Sequence, residues 1–288
     1  MHWCGYGEGK EMNIFFIGTG GGRVNLLAQL RSTGGFIING SLKIYVDPGP
    51  GALYGSKQHK IDLSKMDILV VTHNHIDHYN DAEIVMEAMS GYALQKKGVL
   101  IASKSVLQGG GQFDLSISRY HQDKMQQVIC GEQKQRNSVL CNGKNVDFSF
   151  TPVKHDDETG FGFVLSMDGS KIGYTSDSEY FEGFGGYFKG CDYLIINNLK
   201  AEDDGIPDHM DSGGCIKLLK EAKPKTAILS HFGMKLINSM PELEAQKIAS
   251  KSGVKTIAAR DGSSFGDGGV LESKKSLMDF VQDDEKIW

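Results

Sequence analysis

The residues with the most chemistry in this chain stand close together. From Thr72 to Asp81 the sequence reads THNHIDHYND, so His73, His75, Asp77 and His78 fall within six residues. Imidazole nitrogens and a carboxylate oxygen are ligands for divalent cations. In a tight turn His73 and His75 can point to one side and share an ion, while Asp77 and His78 face a second position. These donors suit zinc and also iron, manganese or cobalt, so they leave the metal open. A solvated polar loop is the competing reading, but with nine histidines in 288 residues this spacing would be a rare accident.

A closed site needs further ligands. Three candidates follow apolar, strand-like runs: His155 after VDFSFTPV, Asp177 after KIGYTS and His231 after KTAILS. Each alone would pass for a surface residue, and the shared placement past a strand end strengthens all three.

The surrounding elements must position these groups. MDILVV, just before the motif, is a continuous apolar run suited to a strand buried on both faces. After the motif, Ala82, Val85, Met86 and Met89 recur at helical spacing, with Asn80 as the expected N-cap and Glu83 three residues on. Upstream, MNIFFIG leads into the glycine cluster GTGGG, and GGFIING and LKIYVDPG are expected strands joined at Asn39-Gly40. The cluster (Gly18, Gly20, Gly21, Gly22) is not followed cleanly by a helix at dinucleotide-binding spacing and reads as a turn bordering a cleft. The stretch from about 103 to 140 is polar, expected as loops with one helix around 116–127. Downstream, GFGFVLSMDGSKIGYTS is a hairpin turning at Asp168-Gly169, CDYLIIN a strand, and SGGCIKLLKEA a helix. KTAILS is a strand, PELEAQKIASKSG a helix stopped by Gly253, and VKTIAA a strand. Periodicity supports a mixed α and β protein.

Composition sets the bounds. Hydrophobic residues are 40% and charged residues 23%, the balance of a folded globular chain. A net charge of −5 provides no global basic field for nucleic acid or an anionic membrane. Five scattered cysteines (Cys4, Cys130, Cys141, Cys191, Cys215) have no CxxC spacing and read as reduced thiols. No apolar run approaches the ~18 residues of a membrane span, so a cytoplasmic protein with no membrane partner is expected. Residues 1–11, with His2 and Cys4, read as an N-terminal extension to a single domain over 12–288.

THNHIDH, then His155 in VKHDDETGFGF, then GYTSDSEY, then LSHFG, in this order, resemble the metallo-β-lactamase-fold hydrolases from IFFIGTGGG to TIAARDG. The resemblance implies an α/β four-layer αββα sandwich holding two divalent metal ions, Zn2+ in the first place with Mn2+ or Fe2+ as alternatives. It implies His73, His75 and His155 on one ion, Asp77, His78 and His231 on the other, and Asp177 bridging both. The mechanism implied is hydrolysis by a metal-bridged hydroxide. Seven ligands carrying two formal negative charges leave the centre positive, fit to draw an anionic small molecule or nucleotide. Asp47 in VDPGPG is either a hydrogen-bond partner for a metal-bound histidine or an ordinary turn aspartate.

Within that family, His75 stands where flavodiiron-type oxygen reductases typically carry glutamate, which favours hydrolysis. The context VKHDDETGFGFVL resembles the ribonuclease Z-like phosphodiesterases rather than the GHTxG loop of glyoxalase II-like enzymes. His209 in PDHMDSGG is similar to the histidine that ribonuclease Z-like enzymes place beside the leaving group. With Asp77 it is the catalytic candidate, and Asp208 is a candidate to orient its ring. Arg23 and Lys235 are candidate phosphate contacts. The chain lacks the PxKxRN loop of ribonuclease Z: QKQRN at 133–137 is misplaced, and INNLKAE stands where that family carries HEAT. Only 21 residues separate His155 from Asp177, too few for a long tRNA-gripping arm, so a smaller phosphodiester or cyclic nucleotide is the expected substrate. A hydrolase of a thioester, lactone or β-lactam and a non-catalytic binding module are the alternative functions. A homodimer is an allowed assembly.

Overall fold

A computed structural model describes residues 12–201, 207–266 and 269–271, the last three by their backbone alone. The 1–11 extension, with His2 and Cys4, lies outside the described residues.

The first half of the chain builds strands β1 (Asn13–Phe16), β2 (Phe36–Asn39), β3 (Lys43–Val46), β4 (Ile68–Val71), β5 (Val99–Ala102) and β6 (Gln127–Cys130). The second builds β7 (Arg136–Cys141), β8 (Lys144–Thr151), β9 (Gly162–Met167), β10 (Ser170–Tyr174), β11 (Tyr193–Asn197), β12 (Thr226–Ser230) and β13 (Thr256–Ala258). Strands β14 (Ser264–Gly266) and β15 (Gly269–Leu271) return to the first sheet, whose order is β15-β14-β1-β2-β3-β4-β5-β6. The second sheet runs β13-β12-β11-β10-β9-β8-β7. Each sheet joins an antiparallel half to a parallel half, β3 to β6 in one and β10 to β13 in the other.

The helices are α1 (Gly22–Ala28), α2 (Ala52–Gln58), α3 (Ile76–Tyr79), α4 (Ala82–Met89), α5 (Lys104–Gln108), α6 (Arg119–Gln122), α7 (Ser212–Ala222), α8 (Met234–Asn238) and α9 (Pro241–Ser252). Alternation along the parallel strands explains the layering. Ile68 and Val70 of β4 face the core between the sheets, while Leu69 and Val71 pack with Val85, Met86 and Met89 of α4. Ile195 of β11 joins the central core, and Leu194 and Ile196 pack beneath α7 and α9. The order helix, sheet, sheet, helix is the expected αββα sandwich.

Several local expectations change. Asn80 does not cap α4: Asp81 holds the N-cap position without a side-chain bond, and Glu83 accepts the Ser118 N–H at 2.6 Å. The link between β2 and β3 is Gly40–Leu42 rather than a two-residue Asn-Gly turn, closed by Gly40 N–H to Leu42 O at 3.1 Å. The helix expected around 116–127 shrinks to α6, because Gln127–Cys130 joins the sheet edge beside β5. That strand is largely exposed, which removes the apolar alternation that would betray it. A short helix, α1, does follow the glycine cluster. The Asp168-Gly169 turn is as expected, with φ of 52° and 79°.

Candidate metal centre

The chemistry gathers where the parallel strands of both sheets end. The motif loop leaves β4, with His73 and His75 before α3 and Asp77 and His78 within it. His155 follows β8, Asp177 follows β10 and His231 follows β12. Facing sheets thus bring together residues 158 positions apart, from His73 to His231.

Two groups of donors form. His73, His75, His155 and Asp177 make one, and Asp77, His78 and His231 the other, with donor atoms in each within 4.8 Å of one another. Asp177 Oδ2 stands between them, 3.8 Å from His73 Nε2 and 3.4 Å from both His78 Nε2 and His231 Nε2. Asp77 Oδ2 is 3.4 Å from His231 Nε2. His209 also joins: its Nε2 lies 3.3 Å from Asp177 Oδ2. Its Nδ1 faces the Pro207 carbonyl at 3.3 Å, so Pro207 rather than Asp208 orients the ring.

A cation fits this donor set. His73 Nε2 and His155 Nε2 are buried and have no hydrogen-bond partner within the protein. Orphaned buried nitrogens are costly unless an ion takes them. Burial pushes His73 well below its usual pKa, helped by His78 and His155, and burial brings His155 down to about 4. Both are therefore neutral, as ligation requires. Burial works to raise the Asp177 pKa, but His231 and His78 outweigh it and hold the carboxyl well below its usual range. His78 is pushed the other way: burial opposes charge, yet Asp177, Asp77 and Asp47 raise its pKa well above normal. The carboxylates thus demand positive charge at this point, which a divalent cation supplies.

The supporting contacts are mostly out of reach of sequence reading. Asp47 does meet a motif histidine: Oδ2 is 3.0 Å from His78 Nδ1 and accepts from Thr72 Oγ1 and Tyr174 OH. Its Oδ1 accepts the Thr72 N–H at 2.7 Å. Asn197, in the INNLKAE stretch, donates to Asp177 Oδ1 at 2.6 Å and to Tyr174 OH at 3.0 Å. Asp157 ties loops together, accepting from Asn74 N–H at 2.8 Å, Ser105 Oγ at 2.5 Å and Thr159 N–H at 3.0 Å. Asn74 in turn donates to the Asp114 and Ser105 carbonyls. Phe113 is thereby set beside His75, with ring centroids 5.9 Å apart. The DD pair after His155 was the available signal for Asp157; Tyr174 and Asn197 offered none.

The glycine cluster borders the site, as its turn reading required. Gly22 N–H reaches Asp77 Oδ2 at 3.1 Å, and Gly21 passes so close to the His231 ring that a Cβ would overlap it. Arg23 and Lys235 are exposed on α1 and α8. Among the described residues, Cys130, Cys141, Cys191 and Cys215 are free, and no helix is long and apolar enough to cross a membrane.

Fold and donor set together define an αββα sandwich with a candidate metal centre at its strand ends. Residues 43–232 match the beta-lactamase superfamily domain, and the chain belongs to that superfamily. It is 36% identical over 260 residues to an uncharacterised protein of Methanocaldococcus jannaschii, covering 88% of this chain and 94% of that one. It is 25% identical to a UPF0173 metal-dependent hydrolase of Archaeoglobus fulgidus, over 80% of this chain and 94% of the relative. A ribonuclease Z of Borreliella burgdorferi is 23% identical, with 76% of this chain and 85% of the relative covered. Among solved structures, the metallo-beta-lactamase fold protein YhfI from Bacillus subtilis superposes with a TM-score of 0.71 at 18% identity, covering 89% of this chain and 99% of YhfI.

Proposed function

We propose that this protein hydrolyses phosphodiesters at a centre of two divalent cations, with zinc the first choice and a small phosphodiester, cyclic nucleotide or nucleic acid as substrate. The observation that carries the reading is the placement of Asp177 Oδ2 between two complete donor groups. His73, His75 and His155 would hold one cation, Asp77, His78 and His231 the other, and Asp177 both. Bound there, divalent cations supply Lewis-acid activation of water and neutralise charge on substrate oxygens.

The chain's own residues do the remaining work. Asp47 and Asn197 fix His78 and Asp177 from behind, so the donors need no rearrangement. Asp77, held by Gly22 N–H and facing His231, keeps the second donor group anionic. Both ring nitrogens of His209 face oxygens, Pro207 O and Asp177 Oδ2, an arrangement that favours the doubly protonated imidazolium. Such a group at the centre's edge can give a proton to a leaving alkoxide.

Three features favour a phosphodiester over a carbonyl substrate. The ribonuclease Z relative acts in that class by its name, His209 suits a poor alkoxide leaving group, and the half-buried Phe113 offers a nucleobase a face for stacking. Between His155 and Asp177 the chain is taken up by a short loop and the β9–β10 hairpin, which supports a small substrate over one gripped by an arm there.

The test is a panel: bis(p-nitrophenyl) phosphate, 2′,3′- and 3′,5′-cyclic nucleotides, a thioester and a β-lactam, assayed with native metal, after chelation and after zinc or manganese is restored. Chelator-sensitive phosphodiester turnover is expected. Thioester or β-lactam turnover with inert phosphodiesters would replace this reading with carbonyl hydrolysis, and no chelator-sensitive activity on any would favour a binding module.

A further inference from the structure

Asp156 has no part in either donor group, yet its carboxylate sits against two members of one. Its Oδ1 lies 3.2 Å from His75 Nε2 and 3.1 Å from His155 Nδ1. Both imidazole nitrogens therefore lie within ion-pair distance of one carboxylate oxygen, and His155 Nδ1 also accepts the Asp157 N–H at 3.4 Å. The rings stand edge to face, centroids 4.7 Å apart, so one oxygen reaches both without either ring leaving the centre.

We propose that Asp156 is the positioning residue for the first histidine group, setting the orientation of His75 and His155 through a shared carboxylate oxygen. This rests on the two-cation reading above and adds to it a difference between the two cations. With Nε2 of His75 and Nδ1 of His155 engaged at Asp156, the opposite nitrogens are left for the centre. For His155 that is Nε2, the buried atom with no protein partner. A histidine ligand whose other nitrogen donates to a carboxylate has its tautomer and orientation fixed and its basicity raised.

The turn carrying Asp156 is tied down on its C-terminal side, where the neighbouring Asp157 is buried and bonded to Asn74, Ser105 and Thr159. The Asp156 side chain itself is one-third exposed (33%), whereas Asp47, which supports His78, is at 3%. Water therefore competes for the brace of the first group and not for that of the second, and the first group's cation is the more readily exchanged.

Metal retention tests this without relying on turnover. The native protein, Asp156→Ala and Asp156→Asn would be compared for metal content, release to a chelator, and the visible spectrum after cobalt substitution. Asp156→Ala should bind the first-group cation about 10- to 100-fold more weakly and release it first, leaving the second. The cobalt spectrum should change with it. Asp156→Asn, which keeps a side chain of the same size with an oxygen facing both rings, should retain most of the affinity and remain folded if the alanine variant does not. Native affinity and spectrum in folded Asp156→Ala would overturn the proposal. Equal loss in both variants would overturn positioning in favour of direct ligation. A native protein with a single cation would sink the two-cation reading, while faster release of that ion from Asp156→Ala would still support the role of Asp156.

Discussion

His78 leans on the buried Asp47, and His75 and His155 lean on Asp156, a carboxylate at the rim. Both braces are carboxylates, but their settings differ. Asp47 closes a network of Thr72, Tyr174 and His78 in the interior, so it serves the fold as well as the site. Asp156 makes contact with the two histidines from the rim. A buried brace is hard to separate from stability, while an exposed one can tune metal affinity with little cost to the fold.

That contrast can be broken experimentally, starting at the residue shared by both sides. Asp177→Ala removes the carboxylate between the groups and should lower kcat by about three orders of magnitude or more with loss of bound metal. Steady-state assay with metal analysis checks it, and retention of both metal and rate would undo the shared role. Next, Asp47→Ala should cost roughly 3–5 kcal/mol in denaturant unfolding, because it strands His78, the Thr72 N–H and the Tyr174 hydroxyl in the interior. A stability loss as small as that of a surface change would mean the two braces are alike.

Gly21→Ala presses on His231 and should destabilise by about 1–3 kcal/mol while disturbing the second group's cation selectively, readable by metal analysis beside a melt. The smallest effect is expected on the stability of Asp156→Ala, within about 0.5 kcal/mol of the native protein by chemical unfolding. A large drop there would make Asp156 a structural residue and erase the contrast.

The motif residues were legible in sequence because their spacing lies within one turn and follows a doubly buried strand. His155, Asp177 and His231 were legible for a related reason: ligand sites in mixed sheets collect at strand ends, and each of these residues follows an apolar run. Asn80 failed as a cap because it closes α3 in right-handed helical conformation, so α4 starts after Asp81, and the Glu83 carboxylate goes instead to the Ser118 N–H, a tertiary contact that local pattern cannot weigh. Strand β6 was hidden by its exposure at a sheet edge, where nothing enforces apolar alternation.

The sequence by itself determined the donor types, their order and a mixed α and β chain, since these follow from side-chain chemistry and from burial periodicity along single elements, while the layered architecture came from the family resemblance. Asp177 between the groups was implied by the family resemblance, but only the tertiary structure decided which nitrogens face the centre and that Asp47, Asn197 and Asp156 support them from three different loops and strands. The reason is range: periodicity acts over a few residues, whereas a metal centre is set by hydrogen bonds of fixed length between groups the fold alone brings together.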